Sequence, residues 1–199
     1  MKLLAIESSG LVASAAVFAD DTIVAEFTVN NKQTHSQTLL PMIDQVVTMS
    51  GIDLKEIDAI ATTSGPGSFT GLRIGAATAK GLGLALHKPI VPITTLEALA
   101  FRLAGREGNI CPMMDARRNQ VYAGVYRVGD MLLECVTGQK AVSIEDYIAE
   151  LNDLGDPVTV LGDGVPVHRE ALQQGLNVAW QEAPAHICLL YTSPSPRDA

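Results

Sequence analysis

The residues best suited to binding chemistry lie in one short stretch that is rich in glycine and hydroxyl groups. The candidates are Gly65, Gly67, Ser68, Thr70 and Gly71, and Arg73 adds a cation shortly after them. A short strand is predicted before this stretch, and a helix rich in glycine and alanine is predicted over 72–86. A strand that breaks at glycine and restarts as a helix presents free backbone N–H groups, which suit a phosphate. The stretch therefore predicts a cofactor-binding loop, and a tight strand–helix turn without a ligand stays open as the alternative.

Two widespread phosphate-binding motifs do not fit this glycine loop. A P-loop places lysine and then serine or threonine directly after its last glycine, whereas Gly71 is followed by Leu72 and Arg73. The dinucleotide-binding fingerprint also fails, because the glycine that follows Gly67 comes one place late. The glycine loop is therefore an unspecific signal when only its local chemistry is considered.

A second group of polar residues lies near the N-terminus, where Glu7, Ser8 and Ser9 end the first predicted strand. A carboxylate with hydroxyl groups could face a phosphate-bound metal, or it could simply cap the turn. Further along the chain, Asp115 and Arg117 follow another predicted strand, and an ion pair that orders the turn is the simplest role for them. The sequence offers no HExxH motif and no serine, histidine and aspartate arrangement typical of a protease.

Small residues recur at spacings of three and four in the helix predicted over 72–86. Glycine costs about 1 kcal/mol relative to alanine inside a helix, so the glycines indicate close approach of another element. That element could belong to this chain or to a partner. We predict that this helix and the helix predicted over 35–50 lie side by side and share a partner-facing surface. Its residues are His35, Leu39, Ile43, Leu72, Gly75, Ala76, Ala79 and Gly83.

The order of predicted elements suggests a duplicated α/β architecture. Three strands, a helix and a strand open the chain, and a shorter series of the same kind restarts near Asn109. We expect an N-terminal lobe over 1–107 and an incomplete C-terminal lobe over 108–187. Residues 188–199 follow no pattern and resemble the translation of a sequencing adapter joined to a truncated gene. A native tail rich in proline and serine is the alternative for this segment.

Composition narrows the function classes further. The chain has 199 residues and a formal charge of −8, from 22 acidic and 14 basic side chains. Such a chain is a poor candidate for gripping nucleic acid alone, because phosphate contacts require clustered lysine and arginine. No apolar run reaches the roughly 18 residues of a membrane span. Three cysteines without a CxxC pair suit a reducing compartment, so we expect a cytoplasmic protein without a membrane partner.

Several segments together resemble the TsaB (YeaZ) family. They are Met1 to Val29, Thr34 to Pro41 with its His-Ser-Gln-Thr-Leu-Leu-Pro sequence, Gly65 to Gly75, and Asp115-Ala116-Arg117. The resemblance runs from Met1 to about Gly164, and the Gly-Pro-Gly-Ser-Phe-Thr-Gly segment is highly specific. It implies an actin/hsp70/sugar-kinase-like (ASKHA, RNase H-like) α/β fold with two related lobes, of which the second is truncated here.

The resemblance also implies a function and a set of partners. Members of the family act with the catalytic subunit TsaD and the ATPase TsaE to form N6-threonylcarbamoyladenosine at position 37 of tRNAs that read codons beginning with A. On this basis we expect a TsaD heterodimer, or a homodimer when TsaD is absent, and contact with tRNA only through the complex. We expect no cofactor of its own, and we place any ATP or ADP at the interface of the complex.

The histidines indicate that this chain is the partner subunit and not the enzyme. TsaD is similar in its first lobe but binds a metal through two histidines on a helix after the glycine-loop unit. Residues 94–101 stand at the matching place here and contain no histidine. The four histidines of the chain include no i,i+4 pair, so we expect neither a metal site of this kind nor catalytic residues. A stand-alone ATP-dependent kinase that uses Glu7, the glycine loop and Gly162-Asp163-Gly164 is the alternative.

Overall fold

The computed structural model describes residues 1–30, 34–129 and 132–184. The chain divides into two compact units, unit 1 from Met1 to Thr95 and unit 2 from Leu96 onward. This division falls before the short helix at 95–101, whereas the sequence analysis placed the lobe boundary after it, at 107/108. Within the described ranges, none of the helices combines the length and the apolar composition that a membrane crossing requires.

Unit 1 is a five-stranded mixed sheet with two long helices. Its elements are β1 (Lys2–Glu7), β2 (Ala13–Ala19), β3 (Thr22–Val29), α1 (His35–Ser50), β4 (Ala59–Thr63), α2 (Phe69–Leu86) and β5 (Ile90–Ile93). The strand order is β3-β2-β1-β4-β5. The first three strands form an antiparallel meander, and β4 and β5 add in parallel beside β1. The meander was predicted from the short connections between its strands.

Both helices of unit 1 begin and end where local signals direct them. Thr34 is the N-cap residue of α1, and its hydroxyl contacts the Gln37 side chain instead of a backbone N–H group. Gly51 ends α1 in the left-handed conformation, as predicted. Helix α2 begins at Phe69, three residues earlier than predicted, because the Ser68 hydroxyl accepts a hydrogen bond from the Gly71 N–H group and caps the helix.

The core of unit 1 lies between the sheet and the two helices. Buried apolar side chains of α1 recur at helical spacing and pack with those of β1, β2 and β4. They include Leu4, Ile6, Val17, Leu39, Met42, Ile43, Val46, Ile60 and Ala79. Helices α1 and α2 also contact each other, as the sequence predicted. The core therefore fixes α2, and with it the glycine loop, against the carboxyl ends of β1 and β4.

Unit 2 repeats this arrangement with a second five-stranded sheet. Its elements are α3 (Thr95–Phe101), β6 (Asn109–Arg117), β7 (Gln120–Gly129), β8 (Leu132–Ser143), α4 (Ile144–Leu154), β9 (Val158–Leu161), α5 (Gly164–Gly175) and β10 (Trp180–Glu182). The order β8-β7-β6-β9-β10 matches that of unit 1 strand for strand, and so do the strand directions. The predicted duplication is confirmed. The prediction of a shorter second series missed α5 and β10.

Candidate functional site

The glycine loop connects β4 to α2 and packs directly on the turn that follows β1. A Cβ atom at Gly67 or at Gly71 would overlap the backbone carbonyl groups of Ser9 and Ser8, respectively. Gly67 also has φ +154°, a conformation that other residues rarely adopt. These two glycines are required by contact with the chain's own β1–β2 turn. The close approach that the sequence predicted is thus explained without a ligand.

The N–H groups at the start of α2 are partly engaged within the chain. The Ser68 N–H group donates to the Ser9 carbonyl oxygen at 2.6 Å, and the Gly71 N–H group donates to Ser68 Oγ at 3.2 Å. The Gly65 carbonyl oxygen accepts from the Thr95 N–H group at 2.8 Å. Two of the donors predicted to receive a phosphate therefore already have protein partners. Binding of a nucleotide by Gly65, Gly67, Ser68, Thr70 and Gly71 stays a prediction.

Glu7 is the ionisable group of this site, at the end of β1. Burial raises the pKa of its carboxyl group above the ordinary value, while hydrogen bonds from Ser9, Thr63 and Ser8 oppose that rise. The Ser9 N–H group donates to Glu7 Oε1, and Ser8 Oγ donates to the Gly71 carbonyl oxygen at 2.9 Å. The carboxylate thus orders the β1–β2 turn, and the turn in turn supports the glycine loop. This is the capping role that the sequence analysis left open.

The stripe of small residues on α2 faces the interior of unit 1. Gly71, Gly75, Ala79 and Gly83 are all buried at i,i+4 spacing. A Cβ atom at Gly75 would overlap Ser8 Oγ, and one at Gly83 would lie 3.1 Å from the Ile90 side chain. The element that approaches α2 closely is therefore the chain's own sheet.

This placement corrects part of the predicted partner surface. Leu39, Ile43, Gly75, Ala79 and Gly83 are buried within unit 1, because they face the sheet and the core between the helices. His35 is half-buried, and its Nε2 lies 2.8 Å from the Gly10 carbonyl oxygen. Its ring also stands beside Gly71, so His35 ties the start of α1 to the site. Of the predicted set, only Leu72 and Ala76 are half-exposed without such a contact.

Two exposed apolar residues near the helix starts were not predicted from the sequence. Phe69 in the first turn of α2 is 69% exposed, and Leu40 on α1 is 56% exposed. The Arg73 guanidinium lies 4.0 Å from the centre of the Phe69 ring, which holds the ring on the surface. Both residues fall off the buried spacing of their helices. That departure from the core pattern is the sequence signal that could have identified them.

The buried small-residue stripe leads to a stability prediction. We expect Ala79→Leu to lower the free energy of unfolding by about 1–3 kcal/mol, because Ala79 is fully buried against the sheet and a larger side chain overpacks that contact. Chemical denaturation followed by circular dichroism measures the change. Ala85→Leu, at an exposed position of the same helix, is the matched control. Equal stability of the two variants would contradict the burial of the stripe.

In unit 2, Asp115 and Arg117 lie at the turn between β6 and β7. Asp115 Oδ1 accepts a hydrogen bond from the Arg117 N–H group at 3.0 Å. The contact is thus made by the Arg117 backbone, and it orders the turn as the sequence predicted for an ion pair of the two side chains. In the described part of the chain, no cluster of three or more histidine, cysteine or acidic side chains is arranged to hold a metal ion. The predicted non-native segment 188–199 lies outside the described residues.

The fold defines the class of protein. Two units with the same order and direction of five strands form the duplicated α/β architecture of the actin/hsp70/sugar-kinase-like proteins, as predicted. The solved structure of YeaZ from Pseudomonas aeruginosa is similar with a TM-score of 0.78 and 28% identity, covering 91% of this chain and 84% of that one.

Sequence comparison identifies the family within this class. The family described as "TsaD: tRNA N6-adenosine threonylcarbamoyltransferase" matches residues 22–189. The tRNA threonylcarbamoyladenosine biosynthesis protein TsaB of Bacillus subtilis is 34% identical over 176 residues, which are 88% of this chain and 77% of that protein. The TsaB protein of Escherichia coli is 36% identical over 129 residues, 64% of this chain and 55% of that protein. The chain belongs to the TsaB family, whose members resemble TsaD.

Proposed function

We propose that the chain is a non-catalytic subunit in the formation of N6-threonylcarbamoyladenosine in tRNA and that its partner is TsaD. The observation that carries the proposal is the 34% identity to the Bacillus subtilis TsaB protein across 77% of that protein's length. The lack of an i,i+4 histidine pair in the sequence supports the assignment of catalysis to the partner. TsaE completes the proposed system as its ATPase, in the cytoplasm.

The arrangement of the glycine loop supports a structural role in this proposal. The loop binds the Ser9 carbonyl group and the β1–β2 turn of its own chain. Its glycines therefore serve to join α2 to the sheet of unit 1. In the proposed complex, ATP or ADP is held at the interface with TsaD and not by this chain alone.

The exposed side of α1 and α2 is the proposed contact surface for TsaD. Leu40 and Phe69 expose more than half of their apolar side chains there, and Leu72 and Ala76 add half-exposed apolar atoms. Apolar side chains clustered on one surface favour association with another protein. In this proposal the same surface pairs two copies of the chain when TsaD is absent.

The charge of the chain leads to a prediction about tRNA. We expect the isolated protein to bind tRNA negligibly at physiological salt, because a formal charge of −8 opposes the phosphate backbone. Fluorescence anisotropy with labelled tRNA measures the affinity, with and without TsaD. A dissociation constant below about 1 µM for the isolated protein would contradict the proposal. Robust ATP turnover by the isolated protein would favour the kinase alternative instead.

A further inference from the structure

Three ionisable side chains converge where the β6–β7 turn meets the start of α5. The Asp115 N–H group donates to Asp163 Oδ1 at 3.2 Å. His168, one turn into α5, places its Nε2 atom 3.8 Å from Asp115 Oδ1. That oxygen also accepts from the Arg117 N–H group. The Asp115 carboxylate therefore links the turn to α5.

His168 is the unusual member of this cluster. It is 7% exposed, and its Nε2 atom has no hydrogen-bond partner within the described residues. A buried polar atom without a partner is costly, typically by about 1–3 kcal/mol. The nearest acidic oxygen, Asp115 Oδ1, is too distant for a hydrogen bond and close enough for an ion pair when the ring is protonated. The contact between the turn and α5 thus depends on a proton.

The turn held by this cluster is strained and basic. Arg117, Arg118 and Asn119 have φ angles of 64°, 51° and 61°, all in the left-handed region. A run of three such residues without glycine costs free energy and persists only where neighbouring contacts impose it. Both arginines are exposed. The contacts of Asp115 therefore determine how two cations are presented on an acidic protein.

The other charged groups near the cluster have partners elsewhere or are exposed. Glu145 at the start of α4 accepts a hydrogen bond from Asn119 Nδ2 at 2.7 Å. The remaining paired charges on α4 and α5 are Glu150, which pairs with Lys140, and Arg169, which pairs with Glu182. Asp163 is thus most affected by its own burial and by Asp115. These two influences, in that order, raise the pKa of Asp163 to about 6.

We propose that Asp115, Asp163 and His168 form a proton-sensitive latch that holds the β6–β7 turn on α5 and sets the order of Arg117 and Arg118. When the latch gains a proton, the repulsion between the two carboxyl groups falls, or the His168 ring becomes a cation beside Asp115. Either change strengthens the contact between the turn and α5. When the latch loses that proton, two carboxylates face each other and the turn loosens.

The direction of the pH dependence follows from Asp163. Its pKa in the folded protein lies above the ordinary value, so the folded state binds the proton more tightly than the unfolded chain does. The associated stability is complete below the ordinary aspartate pKa and is lost as the pH rises through about 6. Order in the turn should therefore decrease between mildly acidic and neutral pH.

The test is a pH titration of the turn amides in the ¹⁵N-labelled full chain, followed by nuclear magnetic resonance from about pH 4 to about pH 8. We expect the amides of 117–119 to titrate with a midpoint near 6. Asp163→Asn keeps the oxygen that accepts from Asp115 but cannot ionise, so it should remove this step. His168→Gln should shift or weaken it. Glu145→Gln, which touches the same turn from an exposed position, should leave the step unchanged.

The outcomes separate the latch from a static turn. Loss of the titration step in Asp163→Asn, with the step retained in Glu145→Gln, supports the proposal. A step that persists unchanged in both Asp163→Asn and His168→Gln would overturn it, as would turn amides that do not respond to pH. If Asp163→Asn fails to fold, His168→Gln decides the matter by the same criterion.

Discussion

Gly71→Ala is expected to destabilise unit 1 by about 3 kcal/mol, the upper end of the usual cost of overpacking. The added methyl group would overlap the backbone carbonyl oxygen of Ser8, and the His35 ring and Ser68 Cβ lie within 3.3 Å of its position. A backbone carbonyl in a sheet cannot move aside as the end of a flexible side chain can. The free energy of unfolding, measured by chemical denaturation, reports the change.

Gly81→Ala is the matched control on the same helix. Gly81 is exposed on α2, and a Cβ atom there would meet nothing within 4 Å. Alanine should therefore stabilise the helix by roughly 1 kcal/mol, the difference in helix propensity. Opposite signs for the two glycine variants are the expected result. A Gly71→Ala protein as stable as the unmodified chain would show that the glycine loop does not pack on the β1–β2 turn.

The elements that could be predicted are those whose signals are local. Helix α1 has apolar residues at regular spacing and ends at Gly51, and β9 is a short apolar run that ends at Gly162. Helix α5 was missed because it begins at a glycine and buries few apolar side chains, among them Val165 and Leu172. Strand β10 has three residues, too few for a periodic pattern.

The candidate site could be predicted only in part. The glycine loop was located from its residue types, and its environment was not, because the groups that fill it come from Ser8 and Ser9, far away in sequence. The small residues of α2 correctly indicated close approach. Whether that approach was to a partner or to the chain's own sheet depends on which face is buried, and both helices have apolar residues on two faces.

Ala76→Glu is expected to abolish binding to TsaD while leaving the chain folded. Ala76 lies beside the buried stripe of α2 and is half-exposed. A carboxylate there would be buried without a partner if TsaD covers this side of the helix, and an unpaired buried charge costs several kcal/mol. A loss of about 2 kcal/mol or more in binding is expected for a central contact residue. Isothermal calorimetry with purified TsaD measures it.

The control for this variant uses the same substitution on the other side of α2. Ala85 is exposed and lies nine residues from Ala76, which is half a turn around the helix axis. Ala85→Glu should therefore bind TsaD as the unmodified chain does. Thermal midpoints must be measured for both variants, because only a folded Ala76→Glu protein tests the surface. If it folds and binds TsaD normally, the proposed contact surface is wrong.

The most direct test of the partner role is the transfer of a labelled threonylcarbamoyl group from threonylcarbamoyl-AMP to tRNA. The reaction is run with this chain alone, with TsaD alone and with both proteins. We predict no label in tRNA with this chain alone and strong incorporation with both, because the chain lacks the histidine pair expected of the catalytic subunit. Incorporation above background by this chain alone, or no stimulation of TsaD by the chain, would contradict the proposed function.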